Sequence, residues 1–121
     1  MAEHDLAAQL LDWIVDLMSA RAEPSPTRDY YFVLLRQGRG VPEAVGLVVD
    51  DLLEEVRTAV SREESYNPRA HRARLGLPSS VPFNEHRLPR PALVRRIAQE
   101  RLGDSRAQHS RHSPGMRRGP R

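Results

Sequence analysis

SPTRDYYFVLLRQGRG, residues 25–40, decides between an all-α chain and a mixed one. Its centre, Tyr30 to Leu35, is a short apolar run, and composition alone suits such a run to a buried strand as well as to a buried helix. The flanks favour a helix. Ser25 followed by Pro26 makes an N-cap and first-turn pair, and Gly38-Arg39-Gly40 supplies the turn that ends it. No second strand candidate exists to pair with the run, so we read it as helix.

On its N-terminal side, Glu3 to Ala22 repeats polar residues at helical spacing, with Asp5, Gln9, Asp12, Asp16 and Ser19 forming one narrow stripe. Leu6, Leu10, Trp13, Ile14 and Leu17 fill one side, and Ala7, Leu11, Val15 and Met18 widen it to about half the circumference. A face that broad needs two helices, or one helix and a second copy of the chain. Leu10, Trp13, Ile14 and Leu17 are therefore the expected self-association residues. On the C-terminal side, Pro42 opens a third helix running to about Glu64, with Val41, Val45, Val48, Val49, Leu52, Val56, Ala59 and Val60 on one face. Residues 1–64 thus read as a three-helix acidic head, and a core of that size is marginal enough to favour a dimer or higher oligomer.

Charge divides the chain at the same point. All 19 basic residues are arginine; 6 stand among 13 acids in residues 1–64, and 13 stand among 3 acids in residues 65–121. The balances are −7 and +10. A coding bias could produce arginine alone, but either way each cation is a permanently charged fork suited to phosphate and carboxylate. Residues 65–91 carry five prolines, too closely spaced for a helix longer than about two turns. Apolar residues stand among them singly or in small groups, as in a segment that docks extended, so Leu75, Leu77, Val81 and Phe83 are the expected docking anchors. Residues 92–103 read as a short basic helix ending at Gly103, and 104–121 as an Arg-rich flexible tail.

Several motifs invite chemistry and fall short of it. Asp50-Asp51-Leu52-Leu53-Glu54-Glu55 pairs carboxylates four apart and resembles the aspartate-rich motif of isoprenoid synthases and the acidic motifs of all-α NTP pyrophosphatases. Those enzymes need a second acidic motif, which only Asp12 and Asp16 could supply. We read a solvated acidic face, or one that receives a basic partner, including the arm of a neighbouring copy. His109 and His112 lack companion ligands, and His71 and His86 have no partner that spacing identifies. A helix-turn-helix over residues 30–49 would lead its recognition helix with Glu43 and follow it with Asp50 and Asp51, which repel phosphate. Phosphate, or an acidic protein partner, is instead expected at Arg69, Arg72, Arg74, Arg95, Arg96, Arg117 and Arg118.

Zero cysteines exclude a disulfide scaffold and a thiol nucleophile. No apolar run is long enough to span a bilayer, and the acidic N-terminus is unlike a signal peptide, so a cytoplasmic or virion-associated protein is expected. The expected function is non-enzymatic, without metal or cofactor: an assembly or adaptor protein that contacts itself and another protein of a larger complex. Non-specific nucleic-acid binding through the Arg-rich half is the alternative.

Overall fold

The computed structural model describes the backbone of residues 2–19 and 25–111, with side chains from 8 to 19 and 25 to 103. Among the described residues the order is α1 Ala2–Leu17, α2 Pro26–Arg36, α3 Val41–Ser61, α4 Pro68–Leu75, a 3-10 turn at Glu85–Arg87, and α5 Pro91–Arg111. No strand occurs among them, and the fold is all-α.

The deciding stretch is a helix. Ser25 caps α2 by accepting the Arg28 backbone N–H on its side-chain oxygen at 3.1 Å, Pro26 fills the first turn, and Asp29 and Arg36 stand at the ends their charges favour. Tyr31, Phe32 and Leu34 are buried while Tyr30, Val33 and Leu35 are half-buried, so the apolar run serves a helix packed on more than one side. α3 buries Ala44, Val45, Val48, Val49, Leu52 and Leu53 against α2 and α5. The expected face holds for its first three turns; further along, Val60 stands exposed.

Over its described side chains the apolar face of α1 meets the rest of the chain from Leu10 to Met18; Leu6 and Ala7 lie outside them. α5 packs on it and on α3, burying Val94, Ile97 and Ala98 in the same core as Ile14 and Met18. Of the expected self-association residues, Ile14 is fully buried and Leu10, Trp13 and Leu17 are half-buried against that core. α5 thus supplies in cis part of the covering that the breadth of this face demands. α5 also corrects the expected short helix of residues 92–103: it continues through Gly103 to Arg111, so eight residues assigned to the flexible tail are helical. One glycine without a β-carbon weakens a helix but does not stop it unless the backbone turns left-handed there. Residues 112–121, with Arg117, Arg118 and His112, lie outside the described residues.

The segment from 65 to 91 is not extended throughout. Asn67 accepts the Arg69 and Ala70 backbone N–H groups at 3.0 and 3.2 Å, Pro68 sits where a proline lacks nothing, and α4 runs two turns to Gly76. Gly76 takes φ 67°, a left-handed conformation that stops the helix at low cost for glycine alone.

The turn after α3 reaches the same geometry without glycine. Glu63 has φ 57°, while the Glu64 N–H bonds back to the Ala59 carbonyl at 2.8 Å. A side chain in that region costs on the order of 1 kcal/mol. Glu63→Gly should therefore raise stability by about 0.5–1 kcal/mol in chemical denaturation. The docking of α5 has its own test: Ala98→Leu should destabilise the protein by about 1–3 kcal/mol through overpacking. A freely exposed basic helix would accept the leucine without loss.

Candidate functional site

The acidic face of α3 is where the two halves meet. Asp51 and Glu55 lie one turn apart, and α4 sets His71 and Arg74 against them, likewise one turn apart. Arg74 donates from Nη2 to Asp51 Oδ1 at 2.5 Å and from Nε to Glu55 Oε1 at 2.6 Å. His71 Nε2 meets the other Asp51 oxygen at 2.6 Å, and its Nδ1 meets the Tyr66 hydroxyl at 2.7 Å. The His71 side chain is completely buried, so both ring nitrogens need these partners. Tyr66 stands edge-on to Trp13, with ring centroids 5.3 Å apart, which ties the seam to α1 as well.

Electrostatics fix the roles. Burial pushes the Tyr66 phenol up to about 12; the Thr27 hydroxyl beside it pulls the other way, and the Glu55 and Asp51 charges add to the rise. The phenol thus stays protonated at neutral pH, and the buried His71 ring bridges it to Asp51. Burial alone would raise the Asp51 pKa, but hydrogen bonds and charge from His71 and Arg74 outweigh it and hold it below the usual 3.8. The Tyr66–His71–Asp51 chain has the outline of a catalytic relay, yet a phenol raised so far is a donor and not a nucleophile.

Three further ion pairs close the two halves on each other. Arg72 joins the buried Asp29 of α2 through Nη2 and reaches the Pro78 carbonyl with Nη1 at 2.9 Å. Arg95 meets Asp12 at 2.9 Å and Arg101 meets Asp50 at 2.7 Å. Gly46 makes room for the latter: a β-carbon there would lie 2.5 Å from Arg101 Nη2. Burial ranks the pairs. Asp29 and Asp51 keep 11% and 16% of their side-chain exposure, whereas Asp12 and Asp50 keep 66% and 52%, where screening leaves an ion pair little worth.

Every carboxylate of the Asp50–Glu55 string thus faces an arginine, since Glu54 pairs with Arg57 at 2.9 Å. Of the expected phosphate contacts, Arg72, Arg74 and Arg95 are spent on the chain's own acids. Arg69 and Arg96 are exposed and form no ion pair among the described residues.

Of the expected docking anchors, Val81 packs half-buried on the core, and Phe83 lies edge-on to Phe32 at 5.5 Å with the Arg28 guanidinium 4.6 Å from its ring centre. Leu75 and Leu77 are half-buried near the ends of α4. Sequence reasoning missed Tyr66, His71 and the Tyr31 hydroxyl, which donates to the Arg87 carbonyl and pins the segment to α2. A signal existed: His71 and Arg74 share a helical face, as do Asp51 and Glu55, and the two faces carry opposite charge.

Comparison with family models, with curated proteins and with solved structures finds no match to this chain.

Since Asp51 is more acidic folded than unfolded, its contribution to stability is complete above the ordinary value of 3.8 and is lost as pH falls through the depressed folded value. Thermal melts of the parent and of Asp51→Asn should differ most above that pH and converge below it. At neutral pH, a double-mutant cycle on Asp51 and Arg74 should return a coupling of about 1 kcal/mol.

Proposed function

We propose that this chain is a non-enzymatic assembly or adaptor protein whose partner is another protein of a larger complex, cytoplasmic or within a virion. One observation supports it above the alternative: the acids of residues 1–64 already neutralise Arg72, Arg74, Arg95 and Arg101. A phosphate grip needs cations free to displace counterions, and these four would first have to leave carboxylates. What the basic half offers a partner is shape, a segment strapped over α2 with Phe83 46% exposed.

The homomeric contact of this proposal is an exchange. α5 of one copy covering α1 of another, across the connection from Gly76 to Arg90, keeps the contacts of α5 with α1 and α3 and needs no new apolar face. Among the described residues no helix is long and apolar enough to cross a membrane.

Size-exclusion chromatography with light scattering, with and without a short DNA duplex, tests both parts. The expected result is a mass above 13.8 kDa at high micromolar protein, and duplex binding that vanishes by about 0.15 M salt. A monomer at that concentration removes the exchange. Duplex binding that survives such salt, with Arg69→Glu and Arg96→Glu each flattening the salt slope by about one unit, replaces the adaptor with a nucleic-acid-binding protein.

A further inference from the structure

The segment that crosses α2 is pinned at two places, by Phe83 on Phe32 and by the Tyr31 hydroxyl on the Arg87 carbonyl. Between the pins it leaves a groove of about 240 Å³ lined by Phe32, Leu35, Arg36, Pro82, Asn84 and Arg87. The volume suits one bulky side chain and is smaller than most cofactor sites. Its floor is apolar, from Phe32, Leu35 and Pro82. Arg36 and Arg87 are exposed at its edge, and neither forms an ion pair among the described residues, unlike the arginines of the α3 seam.

We infer that this groove receives a short acidic segment of a partner protein, one large apolar side chain entering the floor with carboxylates on either side meeting Arg36 and Arg87. Charge complementarity carries the choice of occupant. A phosphate backbone would satisfy the two guanidinium groups but has nothing to place on Phe32 and Leu35, and a basic or neutral peptide would leave the cations unanswered. The segment expected from sequence to be the docking ligand is instead one wall of a receptor, with α2 as the other. Asn84 caps the Glu85–Arg87 turn by accepting the His86 N–H on Oδ1 at 3.0 Å, which leaves its NH2 group to donate to the main chain of an extended guest. The inference deepens the adaptor reading and rests on it, since it names the chemistry of the protein partner.

The probe is an acetylated, amidated hexapeptide of aspartate and glutamate with one central phenylalanine, titrated into the ¹⁵N-labelled full chain. Saturable amide shifts are expected at Phe32, Leu35, Asn84 and Arg87, with a Kd at or below about 1 mM. Glycine in place of the peptide's phenylalanine should weaken binding at least about tenfold. Arg36→Gln with Arg87→Gln should weaken it about fivefold while lowering the melting temperature by no more than a few degrees, because both side chains are exposed and only the favourable charge at the end of α2 is lost. Leu35→Ala provides a second variant that alters the floor and leaves the charges. Four results overturn the inference: no saturable shift, shifts centred on Arg69 or Arg96, equal binding of the glycine peptide, or the same shifts produced by raising protein concentration alone, which would assign the groove to a second copy. Failure of the adaptor reading itself has a different sign, salt-resistant binding of duplex DNA.

Discussion

Asp51 is the group on which the arrangement turns. A carboxylate most of the way into a protein interior is costly unless charge and hydrogen bonds meet both its oxygens, and here Arg74 takes one and the buried His71 the other. Satisfying it fixes the face that α4 turns toward α3. That facing, together with the left-handed stop at Gly76, sets the direction in which the chain leaves for α2. Crossing α2, the segment sets Val81 on the core, Phe83 on Phe32 and the Arg87 carbonyl on Tyr31, and it returns through buried Pro89 to start α5. α5 then covers α1.

The helices were legible in the sequence because their signals are local. Ser25-Pro26, Gly38 and Pro42 punctuate the chain where the helices begin and end, and the valines of α3 repeat at the helical period. Asn67-Pro68 and Gly76 punctuate α4 by the same rules, but a proline count over the whole segment hid them. The destination of each apolar face was not legible, since a face records how much must be covered and not by what. The breadth of α1 reads as a demand for cover; that α5 packs there depends on a connection whose path is set by side-chain contacts far apart in sequence.

The candidate site was half legible for the same reason. The opposed charges of the two halves can be counted, and an acidic face that receives a basic arm was among the readings of the Asp50–Glu55 string. What counting cannot give is a partner for a single histidine: Asp51 and Tyr66 reach His71 from opposite sides, one of them 20 residues away. Buried polar groups reveal their roles only once the fold has removed water from them.

Charge counted over the whole chain is a poor guide to its surface. The net +3 is what remains after many opposite charges have met inside one molecule, and the meetings are uneven in burial. Around Asp29 and Asp51 they sit in places where salt screens little; on α5 they are open to solvent. The arginines left without a carboxylate therefore define what a partner feels. Among the described residues Arg69 and Arg96 pair with no carboxylate and act as point charges, but Arg36 and Arg87 flank apolar floor. An isolated surface cation gives attraction and little specificity, whereas a cation at the edge of a desolvated pocket fixes orientation and register together. Between Gly76 and Arg90 only Pro89 is buried, so the extended segment over α2 is also a part that can adjust at low cost when something binds beside it.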